Sequence, residues 1–219
     1  INSKTGLYPL YVTYSLFRRR LEEYIKAECI EKETVSVQEE QVVWDDIVEN
    51  NMYVICNTPM AKGITHRTLF GFRQVDQKAN IKNVQLIERA SKDQEGLVKE
   101  LKSVGFWKGN SSKQEMKFNA VVGNPPYQIM DGGGTGSSAT PIYNKFVDLA
   151  KLLNPNNVSM IIPAKWYTGG KGLDEFRANM LNDKQLIKLF DYEDSRDCFP
   201  TVDIAGGVCY FLWNKGSDN

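Results

Sequence analysis

Apolar and polar positions recur along this chain at two periods, and each period predicts a different element. Leu10, Tyr14, Phe17, Leu21 and Tyr24 or Ile25 fall at three- and four-residue steps, which predicts a helix over residues 10–27 with one apolar face. Arg18, Arg19 and Arg20 lie around its middle. Residues 31–43 are polar and acidic, and a short helix is predicted over 43–48. Met52-Tyr53-Val54-Ile55-Cys56 has the run of a buried strand, stopped by Asn57-Thr58-Pro59. Pro59 suits the first turn of a following helix because its fixed φ matches that turn, and this places His66 and Arg67 on that helix. Residues 84–87 form a weaker strand candidate, and residues 91–117 hold a helix followed by the polar loop KGNSSKQEMK.

The second half repeats the alternation. A strand over Phe118–Val122 runs into Gly123 and then Asn124-Pro125-Pro126-Tyr127. Residues 131–138, DGGGTGSS, are too glycine-rich for regular structure. Thr140-Pro141 has the form of an N-cap followed by proline at the first helical position, with Ile142, Phe146 and Ala150 on the inner face. A strand over 158–162, a helix marked by Leu173, Phe176 and Met180, a strand over 186–190 and a last strand over 207–213 complete the pattern. Strands alternating with helices predict an α/β domain with a largely parallel sheet. In such sheets ligands sit at the carboxyl ends of the strands, which is where NPPY stands.

Composition narrows this further. A chain of 219 residues, 42% hydrophobic, suits one globular domain over residues 1–219. The 27 basic and 27 acidic residues cancel, which excludes a polybasic nucleic-acid binder but is compatible with a local basic face. Cys29, Cys56, Cys198 and Cys209 are widely spaced, without a CxxC pair, and His66 is the single histidine. That argues against a zinc site or a disulfide framework and for reduced thiols in the cytoplasm. Glu88 and Asp93 are candidate ligand contacts that fit ordinary surface charges as well, and the acidic run Asp191–Asp194 fits a solvated strand end rather than a metal site. No apolar run approaches the ~18 residues of a membrane span. The chain opens on Ile1-Asn2-Ser3 rather than Met, as though in mid-element, and reads as a segment of a longer polypeptide.

The NPPY stretch admits two readings. Two prolines after a strand serve as a rigid stop, with Tyr127 as a rim aromatic. They also suit a specific chemistry. An exocyclic ring amine such as adenine N6 is a poor nucleophile because its lone pair is delocalised. The side-chain oxygen of Asn124 can accept one amine hydrogen and the carbonyl of Pro125 the other, and Pro126 has no N–H to compete. Tyr127 can stack on the base, an interaction worth ~1–3 kcal/mol. A base held in this way is out of its duplex.

Three stretches, INSKTGLYPLY, VICNTPMAKGITHRTL and GGGTGSSATPIYNKFV, together with NPPY, resemble the adenine-N6 DNA methyltransferase family, in particular the NPPY-type methylase domains of fused restriction–modification enzymes. The resemblance implies a Rossmann-like fold dependent on S-adenosylmethionine, with a mostly parallel sheet, helices on both faces and a first strand truncated at Ile1. It implies that Asn124, Pro125, Pro126 and Tyr127 are catalytic. It implies that Asn2, Ser3, Lys4, Thr5 and Gly6 wrap the methionine part of the cofactor, while Asn57 meets its ribose and Pro59 and Met60 lie near its adenine. Two departures stand out: SKTG replaces the usual glycine-rich FxGxG, and VICNTP offers Cys56 and Asn57 where an acid is usual. The implied reaction is direct methyl transfer to a flipped-out adenine, with no metal. The implied partners are double-stranded DNA and further domains of the same polypeptide for target recognition, with an endonuclease or helicase as other candidates. Lys165, Trp166 and Tyr167 are candidates both for the base pocket and for simple packing. Other substrates compatible with the same motif are glutamine side chains and RNA bases, and a non-catalytic scaffold is a reading of another class.

Overall fold

The computed structural model describes residues 3–28, 34–73, 79–130 and 139–217. Asn2, Cys29 and the glycine-rich stretch 131–138 lie outside the described residues. The chain divides into two compact units, one built from the residues up to 86 with 105–111, the other from 87–104 and 112 onward.

In the first unit, helix α1 (Leu7–Glu28) begins three residues earlier than its apolar period predicts. Its buried residues are Pro9, Thr13 and Leu21, and Tyr14, expected on the inner face, is 50% exposed. Pro9 is tolerated because the first turn has no intrahelical acceptor for its missing N–H. Helix α2 (Val37–Asn50) is far longer than the six residues predicted. Its start is fixed by a capping box: the Ser36 side chain accepts from Glu39 N at 3.2 Å, and Ser36 N donates to Glu39 Oε2 at 2.8 Å. Arg20 pairs with Asp46, and Tyr24 Oη donates to Glu39 Oε1 at 3.3 Å, tying α1 to α2.

Strand β1 (Tyr53–Cys56) pairs in parallel with β2 (Asn80–Asn83), not with the predicted 84–87. The polar NIKN sequence hides β2 from a hydrophobicity reading, because amides anchor it. Asn80 Nδ2 donates to Glu49 O at 2.6 Å and Met52 O at 3.2 Å, and Asn83 Nδ2 donates to Cys56 O at 3.1 Å. Helix α3 (Pro59–Phe70) opens as predicted, with Thr58 as N-cap and proline in the first turn. Val48, Val54, Cys56, Leu69, Phe70 and Ile81 form the core of this unit.

The second unit holds α4 (Leu86–Lys92) from its second residue, α5 (Gln94–Leu101), the first residue of α6 (Val104–Lys108) and a four-stranded sheet in the order β3-β6-β8-β7. The strands are β3 (Ala120–Gly123), β6 (Asn157–Pro163), β7 (Leu186–Tyr192) and β8 (Val208–Asn214). Only β3–β6 is parallel; β8 is antiparallel to both its neighbours. The expectation of a mostly parallel sheet is therefore corrected to a small mixed one in an α/β fold. A parallel β7–β8 pair needs a crossover that covers the sheet, and residues 193–207 contain no helix long enough to make one.

Thr140-Pro141 does not cap a helix. It belongs to β5 (Ala139–Pro141), which pairs antiparallel with β4 (Gln128–Met130). Helix α7 (Tyr143–Leu152) starts after Ile142, without a side-chain cap. Its predicted inner face holds: Ile142, Phe146 and Ala150 are all buried. Helix α8 (Asp174–Asn182) buries Phe176 and Met180.

Candidate active site

The sheet of the second unit gathers several chain segments at one edge. Strands β3 and β6 run parallel, with Gly123 opposite Met160. Strand β7 runs in the same direction as β6, because each is antiparallel to β8. Residues 124–127, 164–168 and 193–207 therefore leave or enter the sheet at the same edge. Ala164 N donates to Gly207 O at 3.1 Å, and Tyr167 Oη donates to Asp191 Oδ1 at 3.0 Å, which ties these segments together. Gly207 is required there: at φ 72° a Cβ would lie 2.2 Å from Tyr192 O.

Within this edge, Pro125 is buried and Asn124, Pro126 and Tyr127 are half-buried. Tyr127 O accepts from Ile142 N at 3.1 Å, and Gln128 then enters the β4–β5 hairpin, so NPPY is held at both ends. Among the described residues the side-chain amide of Asn124 has no hydrogen-bond partner. A half-buried amide with free donors and acceptors, fixed at a strand end, is suited to a planar ligand.

Trp166 is packing rather than pocket lining. It is buried, its Nε1 donates to Cys209 Sγ at 3.4 Å, and its ring meets Phe176 edge-on at 5.9 Å. Lys165 is exposed and its stem lies against Gly206. Burial pushes the Tyr143 hydroxyl far up, and the Tyr167 hydroxyl likewise, with Cys209 and Asp191 adding to the latter. Both stay protonated at neutral pH. Ser195, which no motif marks, is buried and organises the 193–207 segment: its Oγ donates to Val202 O at 2.9 Å and accepts from Ile204 N at 2.7 Å.

The first unit carries the other predicted residues. Ser3 N donates to Ile55 O at 2.8 Å, and Ser3 Oγ lies 2.8 Å from Thr65 Oγ1. Thr5 O accepts from Thr68 Oγ1 at 2.7 Å. The SKTG turn is thus docked on α3, with Lys4 and Thr5 exposed. Gly6 sits at φ 80°, where a Cβ would lie 2.8 Å from Thr68 Cβ and 3.0 Å from Thr65 Cα. Its close approach is to the helix. Among the described residues the N–H groups of Lys4, Thr5 and Gly6 donate to no acceptor, which suits them to an anionic group such as a carboxylate.

Asn57 caps the turn after β2: its Oδ1 accepts from Leu86 N at 3.2 Å, leaving its Nδ2 for a ligand. Pro59 and Met60 are exposed. Glu88 pairs with Lys92 at 3.0 Å, and Asp93 caps α5 and pairs with Arg89, so both serve local helix structure. Asn83, at the carboxyl end of β2, is the residue the sequence pattern misses here, because the strand itself was set four residues late. The described residues contain no cluster of potential metal ligands and no helix long and apolar enough to cross a membrane.

A family model described as Eco57I restriction-modification methylase matches residues 50–199, more than half of the chain. An uncharacterized adenine-specific methylase of Mycoplasma pneumoniae is 41% identical over 102 residues, which are 46% of this chain and 24% of that protein. The chain thus matches about a quarter of the length of this curated relative. A solved structure described as showing complex assembly and conformational transition of the type I R-M system aligns with 90% of this chain and 36% of its own, at 12% identity and a TM-score of 0.49.

Proposed function

Since the chain belongs to the Eco57I restriction-modification methylase family, we propose that it methylates N6 of adenine in DNA as the catalytic part of a longer restriction–modification protein. The observation that carries this reading is the Asn124 amide, half-buried, held at the end of β3 and without a partner among the described residues. The reading adopts a Rossmann-like methyltransferase arrangement and a cytoplasmic setting.

The side-chain oxygen of Asn124 accepts one hydrogen of the flipped-out adenine amine and the Pro125 carbonyl accepts the other. Together they draw the nitrogen lone pair out of conjugation with the ring. Pro126 offers no N–H to that carbonyl, and the Tyr127 ring stacks on the base. S-adenosylmethionine, when bound, supplies an electrophilic methyl group. The turn Ser3–Gly6 would hold its amino-acid end, with the N–H groups of Lys4, Thr5 and Gly6 available to the carboxylate, while the Ser3 N–H is already bound to Ile55 O. Asn57 would offer its Nδ2 to a ribose hydroxyl, and Pro59 would support the base; Asn2, which the resemblance adds, lies outside the described residues. Transfer would form the N–CH3 bond at the expense of the S–CH3 bond, and the amine would release one proton to water. Orientation and the two hydrogen bonds supply the rate.

The test uses the full-length protein, labelled S-adenosylmethionine and unmethylated DNA, followed by digestion and nucleoside analysis. N6-methyladenine is expected. Asn124→Ala should lower turnover by at least about 100-fold and leave cofactor affinity unchanged. Transfer to RNA or to protein glutamine but not to DNA would reject the substrate, and full activity in Asn124→Ala would remove that residue from the mechanism.

A further inference from the structure

One stretch of the first unit carries basic side chains and no carboxylate of its own. Residues 50–75 contain no Asp or Glu, in a chain whose 27 basic and 27 acidic residues balance overall. They contain Lys62, His66, Arg67 and Arg73. On helix α3, Lys62 and His66 are i, i+4 neighbours, and Arg67 follows His66 directly. They line an open cleft of about 630 Å³, with Pro59, Phe72 and Asn83 also on its walls.

The cations differ in what they already hold. Arg73 is committed: it forks onto Asp45 at 2.9 and 3.1 Å and donates to Phe70 O at 3.2 Å. Lys62 and Arg67 are exposed and have no carboxylate partner among the described residues. Lys82 lies near enough to Lys62 to feel it. Burial first, and then the charge of Lys62, hold its ammonium below the ordinary lysine range, while it packs over the Phe106 ring at 5.5 Å. Adjacent like charges without counter-ions raise the local potential, and an anion in the cleft relieves it.

The cleft also presents an aromatic face. Phe72 is 87% exposed, the most exposed large hydrophobic among the described residues. Arg67 lies over its ring, with Cζ 4.9 Å from the centroid. An exposed ring beside cations that have no carboxylate partner among the described residues combines stacking on a base with charge for its phosphates. A compact phosphate site would present converging, buried donors, whereas this cleft is open.

We propose that the cleft along α3 is a nucleic-acid contact surface, in which Lys62 and Arg67 hold successive phosphates of a strand and Phe72 stacks on one of its bases. This surface is additional to the NPPY residues and borders the proposed cofactor site at Pro59, and its test reads binding rather than methyl transfer. The outcome is therefore independent of whether Asn124 is catalytic.

The measurement is fluorescence anisotropy of a labelled single-stranded oligonucleotide and its duplex, with the full-length protein, over a range of NaCl concentrations. Lys62→Ala/Arg67→Ala should reduce the slope of log Kd against log salt by about 2, from about 0.9 per phosphate contact. Lys62→Arg should retain the wild-type slope. Phe72→Ala should weaken the single strand about tenfold, within the range for one stacked base, without changing the slope. All three side chains are exposed, and equal unfolding midpoints check that the variants fold. An unchanged slope in the double variant overturns the proposal. So does a double variant that loses affinity for ATP but not for the oligonucleotide, which would make this a nucleotide site instead.

Discussion

At the scale of the residue, Gly6 shows how a motif position can answer to its own fold. The resemblance assigns it to close approach of a cofactor. The structure puts Thr65 and Thr68 of α3 against it, at a φ that L side chains rarely adopt. Gly6→Ala should therefore cost stability whatever is bound. Left-handed backbone costs ~1–2 kcal/mol at a non-glycine residue, and overpacking ~1–3 kcal/mol. A loss of about 2 kcal/mol or more is expected, read as a lower urea midpoint without cofactor; an unshifted midpoint would leave cofactor approach as the reason for glycine. The NPPY residues can be proposed from the sequence because each brings a distinct chemical property: an amide, a carbonyl with no neighbouring N–H, and a ring. Asn83 and Ser195 were not legible, because a lone Asn or Ser acquires its role only from the strand end or the turn that surrounds it.

At the scale of the element, apolar periodicity found the helices that bury a stripe and missed boundaries set by polar groups. α7 and α8 bury the predicted residues. α2 starts at Val37 because Ser36 and Glu39 cap each other, inside a stretch whose acidity resembles a loop. Ser36→Ala removes the side-chain acceptor for Glu39 N and should cost ~1 kcal/mol. The loss should appear as reduced thermal stability, with Ser36→Asp recovering most of it, because Asp is an equally good cap. Equal melting of wild type and Ser36→Ala would show that α2 is held by its contacts with α1 alone. β2 was displaced for the same kind of reason. Its sequence is polar, and amide hydrogen bonds to Glu49, Met52 and Cys56 place it rather than burial of alternate apolar residues. β4 and β5 were hidden because a three-residue hairpin strand carries too little pattern to distinguish it from a helix cap.

At the scale of the whole molecule, alternation of strands and helices gave the α/β class but not the direction of the strands. Direction depends on what connects them, and a connection without a helix has no period to read. The packing of the second unit also makes stability depend on acid in a defined way. Asp183 accepts from Lys151 Nζ at 2.7 Å and from Trp213 Nε1 at 2.9 Å through Oδ2, and from Gln185 N at 2.9 Å through Oδ1. Burial alone would raise its pKa. The hydrogen bonds from Lys151, Gln185 and Trp213 and the charge of Lys151 outweigh burial, and the carboxyl stays below its ordinary range. A carboxyl with a depressed folded-state pKa contributes stability above its unfolded pKa of about 3.9. It loses that contribution as pH falls through the lower folded value. The wild type should therefore lose stability on acidification from pH 5 towards pH 3, measured by urea unfolding at each pH. Asp183→Asn keeps the size of the side chain but not its charge. It should be less stable than wild type at pH 7 by about 1.5–3 kcal/mol, the range for hydrogen bonds to a charged group. The gap should narrow at pH 3, because protonation removes the same charge from the wild type. A gap that stays constant from pH 7 to pH 3 would assign the loss to geometry at the α7–β8 contact rather than to the carboxylate.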